Sequence, residues 1–579
     1  MSGPGLLRRR TPVALVALVA AGLAASVGGA TSSTAAPRAD KTTTVQLLSF
    51  NDFHGQIEEP TGSSSKIDDF STNSPSYGGA EYLSTHLAEL RTANSLTVAA
   101  GDLIGASPLL SAAFHDEPSI ETMNAVGLDV SSVGNHEFDE GAAELLRMQN
   151  GGCLTDGDGL NNQNSCPIPG HEFAGADFQY LAANVVEEST GDTLFPATEV
   201  RVVGGEKIGF IGMTLEDTPS IVTPAGVAGL DFRDEVETAN AIVPSLVKQG
   251  VKSIVVLLHE GGFPSGTFNA CPGISGPIVD IAANLSPEID AVITGHTHTA
   301  YNCVLPDPAG NPRIVTSAAA FGRVITEVNL TINSRSHNVM REASTATNHL
   351  VTRTVQKDAA VTEIRSAYDT IIAPIRDKVV GFADVALTRT NAGNPVEAQL
   401  GDVIADAQLA ATSAPQDGGA QIAFMNPGGV RQDLNQGEIT YGEAFGVQPF
   451  ANVLTTVTLT GDQIRRILEQ QRYGIGSNGA IAATVLQPSK GFTYTFDTTQ
   501  PAGSRVSNIQ LDGAPLGMAT EYRVTANNFV ATGGDGFTVF KEATNVTNGV
   551  IDLDALVAYM AKGPLTAPEG FRRINLITS

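Results

Sequence analysis

Between Thr42 and about Asn329, short runs rich in Val, Ile and Leu alternate with longer amphipathic segments. Thr44 to Phe50, Leu96 to Ala100, Val251 to Leu258 and Ile289 to Thr294 read as buried strands of an α/β sheet. Ala80 to Arg91, with Leu83, Leu87 and Leu90 on one side, and Phe232 to Lys248 read as helices. Strands alternating with helices predict a layered α/β domain. Every notable polar cluster follows one of the runs, and such sheets build sites at the carboxyl ends of their strands. Asp52 and His54 follow Phe50, Gly101-Asp102 follows Ala100, and Asn135-His136-Glu137-Phe138-Asp139 follows Val133. His259-Glu260 follows Leu258, and Gly295-His296-Thr297-His298 follows Thr294. The five segments can therefore converge.

Asp, Asn and neutral His are donors for borderline divalent ions such as Zn, Mn, Co or Fe. Asp52-x-His54 and His296-x-His298 each put two donors on one side if the chain there is extended. Two ions about 3.5–4 Å apart need a bridging carboxylate and can clamp both oxygens of an in-line displacement. Asp102, after Gly101 on a tight turn, is the natural bridge. Of the 10 His, those at 54, 136, 259, 296 and 298 fall in these clusters, whereas His86, His115, His171, His337 and His349 do not.

The length of 579 residues exceeds one core and predicts about two or three globular units. With 42% hydrophobic and 16% charged residues the chain is not built for disorder. A formal charge of −27, with no basic run after the N-terminus, argues against holding long nucleic acid by counterion release. Arg8, Arg9 and Arg10 precede an apolar run from Val13 to Val27, the layout of a secretory signal peptide occupying residues 1–36. Cleavage is expected between Ala30 and Ala39, and loss of residues 1–36 leaves the mature chain at −30. No later stretch approaches the ~20 apolar residues of a membrane span, so a secreted protein without an anchor is expected. Cys153, Cys166, Cys271 and Cys303 then default to disulfides. Three pairings are open, of which local closure favours Cys153–Cys166 and Cys271–Cys303.

Asp358 to Ala373 reads as a linker helix with Val361, Ile364, Tyr368 and Ile371 on one face, capped by Asp358 and ended or kinked by Pro374. A second α/β unit follows from about Val379, with a helix at Leu400 to Ala411 and a strand at Ile422 to Met425. Thr460 and Gln463 form a capping box, and Tyr522 to Ala526 is a further strand. The two late strands run into the Gly-rich loops at Asn426–Arg431 and Asn527–Phe537.

Asp-x-His, Gly-Asp, Gly-Asn-His-Glu-Phe-Asp, His-Glu and Gly-His-Thr-His, in this order, resemble the calcineurin-type dinuclear metallophosphoesterases. With the two Gly-rich loops, nearly all of the mature chain resembles the 5′-nucleotidase family, which includes UDP-sugar hydrolases and cyclic-nucleotide phosphodiesterases. The resemblance implies a catalytic layered α/β sandwich over residues 42–345, a linker helix within 346–378 and a C-terminal α/β substrate-binding domain over 379–577. It implies that Asp52, His54, Asp102 and His298 hold one cation and that Asp102, Asn135, His259 and His296 hold the other. His136 is then the imidazole that steadies the transition state, oriented by Asp139. Phe450 and Phe529 would sandwich a base, a contact of ~1–3 kcal/mol. Asn426 would face the base, Arg431 a phosphate and Asp535 the ribose, while Gly428, Gly429, Gly533 and Gly534 allow close backbone approach. Arg389 is the candidate for a second phosphate contact, although the Asn391–Pro395 segment after it departs from the family spacing.

The implied function is an exported phosphohydrolase that releases phosphate from nucleotides by in-line attack of a metal-bound hydroxide, with a closing motion between its domains. The alternative enzyme is a phosphodiesterase or pyrophosphatase acting on 2′,3′-cyclic nucleotides or UDP-sugars. An alternative of another class is a surface-binding protein that has lost catalysis.

Overall fold

Strand β1 (Thr42–Phe50) shows why the apolar runs are nearly continuous: Val45 and Leu47 point into one core and Leu48 and Phe50 into another. The same alternation holds across two six-stranded sheets. The computed structural model describes residues 41–68, 74–156, 164–389, 395–475, 481–568 and 572–578. The signal-peptide segment and residues 391–394 after Arg389 lie outside them.

The N-terminal half contains, in chain order, β2 (Ser95–Ala100), β3 (Val130–Ser132), β4 (Gln179–Leu181), β5 (Thr198–Val203), β6 (Glu206–Thr214), β7 (Ser253–His259) and β8 (Ala291–Thr294). It closes with β9 (Ala300–Pro306), β10 (Pro312–Ala318), β11 (Val324–Asn333) and β12 (Thr345–Leu350). One sheet has the order β12-β11-β1-β2-β3-β4 and the other β9-β10-β8-β7-β6-β5. A shared core of Val45, Leu47, Val98 and Val130 from the first, with Phe210, Val255, Leu257 and Ile293 from the second, packs them face to face. Helices α1 (Ala80–Leu90), α2 (Glu117–Ala125) and α3 (Ala142–Asn150) belong to the outer side of the first sheet. Helices α4 (Glu235–Lys248) and α5 (Pro277–Asn284) cover the second. Burial on both faces favours near-continuous apolar runs, broken by a few buried polar residues such as Gln46 and Ser49.

The central strands are parallel, with Phe50 beside Ala99, Ala100 beside Ser132, and Leu258 beside Thr294. Their carboxyl ends therefore lie along one edge, and the five polar segments are the loops leaving that edge. Disulfides join Cys153 to Cys166 and Cys271 to Cys303, with Cα atoms 5.6 and 5.2 Å apart.

Helix α6 (Ala359–Arg376) follows, capped by the Asp358 carboxylate, which accepts from the Ala360 and Val361 N–H groups. Two expectations need correction. The helix runs two residues past Pro374, because the ring forfeits only the bond to Thr370 while the Asp377 N–H still donates to Ala373 O at 2.9 Å. Its buried face carries Val361, Tyr368 and Ile372, and Ile371 turns outward at 37% exposure. In the C-terminal half, helix α7 (Gln399–Thr412) and strand Ile422–Met425 lie close to their expected bounds. The Thr460–Gln463 capping box is formed. A five-stranded sheet centred on Glu521–Asn527 carries the Gly-rich loops at the ends of two neighbouring parallel strands. Among the described residues no helix is long and apolar enough to cross a membrane.

Arg313 on β10 is fully buried, and its guanidinium donates to the carbonyls of Ala282, Leu285, Ser286 and Ile289 at 2.6–3.2 Å. It satisfies the open C-terminus of α5. Burial lowers its pKa to about 10, so it stays charged at neutral pH. Arg313→Met should cost at least about 2–3 kcal/mol in urea unfolding, since the carbonyls lose their donor; a loss below about 0.5 kcal/mol, as at a surface position, would show that they find other partners.

Candidate metal centre

The loop after β1 is not extended. Asp52 and His54 have φ of 50° and 49°, Asp102 has 50°, and His296 and His298 have 69° and 54°. All five occupy the left-handed region, which costs a non-glycine residue energy and gathers at functional sites. This corrects the alternation argument for Asp-x-His and His-x-His: the paired side chains converge because the backbone curls, not because it is straight.

The convergence is close. His54 Nε2 lies 3.0 Å from His298 Nε2, and His298 Nε2 lies 3.2 Å from Asp52 Oδ1. On the other side His259 Nε2 is 3.0 Å from Asp102 Oδ2 and 3.2 Å from Asn135 Oδ1, while His296 Nδ1 is 3.0 Å from the same Asn135 oxygen. Asp102 Oδ2 also lies 3.7 Å from His54 Nε2. Asp52, His54 and His298 thus form one cluster of donors, Asp102, His259 and His296 another, and Asp102 is near to both. Asp52, His54, Asp102 and His259 are buried to within 1% exposure, so neither carboxylate is met by bulk water.

The imidazoles are set to offer lone pairs. His54 Nδ1–H can donate to Gly105 O at 2.8 Å and His259 Nδ1–H to Ala100 O at 2.7 Å, so each Nε2 faces the cluster, bare on His54 and, on His259, carrying a proton toward Asp102 that a bound cation would displace. Burial holds His54 well below the ordinary histidine range and His296 at about 4. For His259 burial acts the same way, but the charges of Asp102 and Asp52 outweigh it and carry the ring up to about 10. Bare nitrogens and carboxylates packed this tightly fit divalent cations.

His136 stands beside the clusters. Its Nδ1 lies 2.7 Å from Asp139 Oδ2 and its backbone N–H donates to Asp102 Oδ1 at 2.9 Å. Burial works against its protonation, but the charges of Asp139 and Asp102 raise its pKa above the ordinary value. Gly134 cannot be replaced, since a Cβ there would lie 2.2 Å from Asp102 Oδ1.

A cavity of about 300 Å³ joins this centre to the C-terminal half. His136, Asp139 and His296 line one side, and Asn426, Gly429, Arg431, Phe450, Phe529 and Asp535 line the other. The Phe450 ring stacks on His136 at 5.7 Å, with the Arg431 guanidinium 5.7 Å from the ring centre. Burial, with the charge of Arg389, lowers Arg431 to about 10, still cationic at neutral pH. Asn426 donates to Asp535 Oδ2 at 2.8 Å. Arg389 is the exception: it lines a separate cavity of about 910 Å³ that reaches His298 and also holds Lys66 and Arg323.

Sequence reading missed three contributors. Asn452 lines the smaller cavity but carries no motif that marks it, and Asn527 lines it too, although it figured only as the head of a Gly-rich loop. Glu137 stood in the quoted stretch without a role. Its buried carboxylate accepts N–H bonds from Asp102 at 2.9 Å, Leu103 at 2.8 Å and Gly134 at 2.6 Å, tying the loop after β2 to the loop after β3. Burial and the charge of Asp102 raise its pKa, and the N–H bonds from Gly134 and Leu103 with the charge of His259 work against them.

Residues 46–300 match the calcineurin-like phosphoesterase family, and residues 379–542 match the 5′-nucleotidase C-terminal domain. The cell wall protein Lmo0130 of Listeria monocytogenes is 32% identical, over 96% of this chain and 71% of its own length. Endonuclease YhcR of Bacillus subtilis is also 32% identical over 89% of this chain, which spans only 39% of that protein. The solved 5′-nucleotidase precursor of Thermus thermophilus superposes with a TM-score of 0.74 at 29% identity, covering 93% of this chain and 100% of the other. The chain belongs to the calcineurin-like phosphoesterases that carry a 5′-nucleotidase C-terminal domain, a class of metal-dependent phosphoester hydrolases.

Glu137→Gln keeps the shape but points an amide donor at backbone donors. It should destabilise the protein by about 2–3 kcal/mol and lower bound metal and phosphoesterase activity together. Unchanged metal content and activity would show that the loops hold themselves.

Proposed function

We propose that this chain is an exported phosphohydrolase that releases phosphate from nucleotides at a two-cation centre. The observation that carries the reading is the placement of the smaller cavity, which runs unbroken from the His/Asp/Asn donors to two phenylalanines and an arginine. Asp52, His54, Asp102 and His298 would hold one cation, and Asp102, Asn135, His259 and His296 the other. When bound, the pair would supply Lewis-acid neutralisation of the phosphoryl oxygens and lower the pKa of the attacking water. Its identity, among Zn, Mn, Co and Fe, follows supply more than ligand type.

The chain's own residues do the rest. Asp139 keeps the His136 ring in one tautomer and orientation, so that its other N–H faces the phosphoryl group and stabilises the charge that grows there. Arg431 adds a fixed positive charge. Phe450 and Phe529 take the base between them, with Asn426 at its edge and Asp535 toward the ribose hydroxyls. Two disulfides and the composition of residues 1–36 support secretion.

One observation favours a second reading. The 910 Å³ cavity reaching His298, with Lys66, Arg323 and Arg389 in its wall, has room for a second anionic group beyond the scissile phosphate. That suits a phosphodiester or pyrophosphate such as a UDP-sugar or a 2′,3′-cyclic nucleotide. An inactive binding protein is disfavoured, because every expected donor position is filled.

A hydrolysis panel, reading inorganic phosphate from AMP and the phosphomonoester products of UDP-glucose, 2′,3′-cyclic AMP and DNA beside elemental analysis, tests the reading. We expect AMP to be turned over fastest, with close to two divalent ions per chain. No hydrolysis of any of the four would refute the enzyme. His136→Ala should lower turnover by about 10²–10⁴-fold with metal content unchanged, and retained turnover with full metal would refute its role. Phe529→Ala should raise KM by about 5–150-fold, from ~1–3 kcal/mol of lost stacking, and leave kcat within a few-fold.

A further inference from the structure

The two Gly-rich loops leave neighbouring strands. Ile422–Met425 and Glu521–Asn527 run parallel, with Ile422 beside Val524 and Ala423 beside Thr525. That register delivers Asn426 and Asn527 side by side at the strand ends. Both are buried, and both stand in the wall of the smaller cavity. Phe529 and Asp535 follow Asn527 on the same loop and line that cavity too.

Three hydrogen bonds in series join these residues. The Val530 N–H donates to Asn527 Oδ1 at 2.9 Å, Asn527 Nδ2 donates to Asn426 Oδ1 at 3.0 Å, and Asn426 Nδ2 donates to Asp535 Oδ2 at 2.8 Å. The two ends fix the direction. A backbone N–H can only donate and a carboxylate can only accept, so neither amide between them can turn over without setting like against like. Asn527 Oδ1 also caps the short helix Asn528–Ala531, which carries Phe529. One side chain thus holds the aromatic clamp and orients the polar group beside it.

The far end of the series is held with equal care. Asp535 has a φ of 55°, in the left-handed region, and Arg472 Nη2 donates to its backbone carbonyl at 3.1 Å. The Phe529 ring lies over Gly534, where a Cβ would fall 2.5 Å from the ring. A Cβ on Gly429 would lie 2.9 Å from Asn426 Oδ1, so that face of the amide is closed to any larger residue. Burial raises the Asp535 carboxyl above the ordinary carboxylate range, while the Asn426 donation and the Arg472 charge work against it. An accepted N–H favours the ionised form. As a carboxylate held at Oδ2, Asp535 offers the cavity lone pairs and no donor. The matching group on a ligand is a pair of adjacent hydroxyls.

We propose, on the basis of the nucleotide reading of this cavity, that Asn527 is a positioning residue for substrate selection: it fixes the relay that aims Asp535 at the vicinal hydroxyls of a ribonucleotide. Without the Asn527 donor the Asn426 amide can turn, which points its carbonyl at Asp535 and sets two acceptors against each other. The loss falls on the grip of the sugar rather than on the chemical step, because Asn527 acts through Asn426 and Asp535, away from the metal donors.

The test compares the wild type with Asn527→Asp and Asn527→Ser. Both replacements keep an oxygen that caps the helix; Asp has no donor for Asn426, and Ser is too short to reach it. Steady-state hydrolysis of AMP and of 2′,3′-dideoxy-AMP is measured for each, beside the thermal midpoint. The wild type should prefer AMP by about 5–150-fold in kcat/KM. Both variants should bring that preference close to one, through a higher KM for AMP with kcat within a few-fold. A residue that only caps the helix would leave the preference where it was. A wild type active on AMP but without the preference, or an unchanged preference in either folded variant, overturns the inference and leaves the nucleotidase standing. A wild type that hydrolyses neither compound removes the nucleotide reading and this inference together.

Discussion

Asp102 is the residue on which the rest turns. A buried carboxylate between two groups of histidines is costly unless positive charge sits beside it. The chain nevertheless closes it in from every side: His259 at 3.0 Å, the His136 N–H at 2.9 Å and Gly134 too near for any Cβ. Its own backbone is held left-handed by Glu137, which receives its N–H. Such an arrangement makes sense as a preformed cage. A bound cation would offset the repulsion and strain of gathering these donors.

The fold supplies what this cage needs. Strands buried on both faces form a rigid double sheet, and their parallel carboxyl ends deliver five loops to one edge. Each loop then needs only to curl once. The C-terminal half adds a different chemistry from across the cleft, aromatic rings and an arginine rather than metal donors. Under the proposed function, reaction and recognition are thereby divided between two parts of one chain.

Much of this could be read from residue order. The strand-end position of every polar cluster predicted the convergence, and Thr460 with Gln463 predicted a real cap. What stayed hidden depended on tertiary geometry. Ile371 and Ile372 are equally apolar, and only the packing of α6 decides that Ile372 is covered. Asp-x-His looks the same in an extended chain as in two left-handed residues. Glu137 gave no sign, because a carboxylate that accepts backbone N–H groups has no spacing rule.

Under the proposed function Asp102 serves two cations at once. The most direct measurement is an anomalous difference map from crystals grown with Mn²⁺. Two peaks about 3.5–4 Å apart, both in contact with the Asp102 carboxylate and flanked by His54 with His298 and by His259 with His296, are predicted. A single peak, or a pair that Asp102 does not touch, would contradict it.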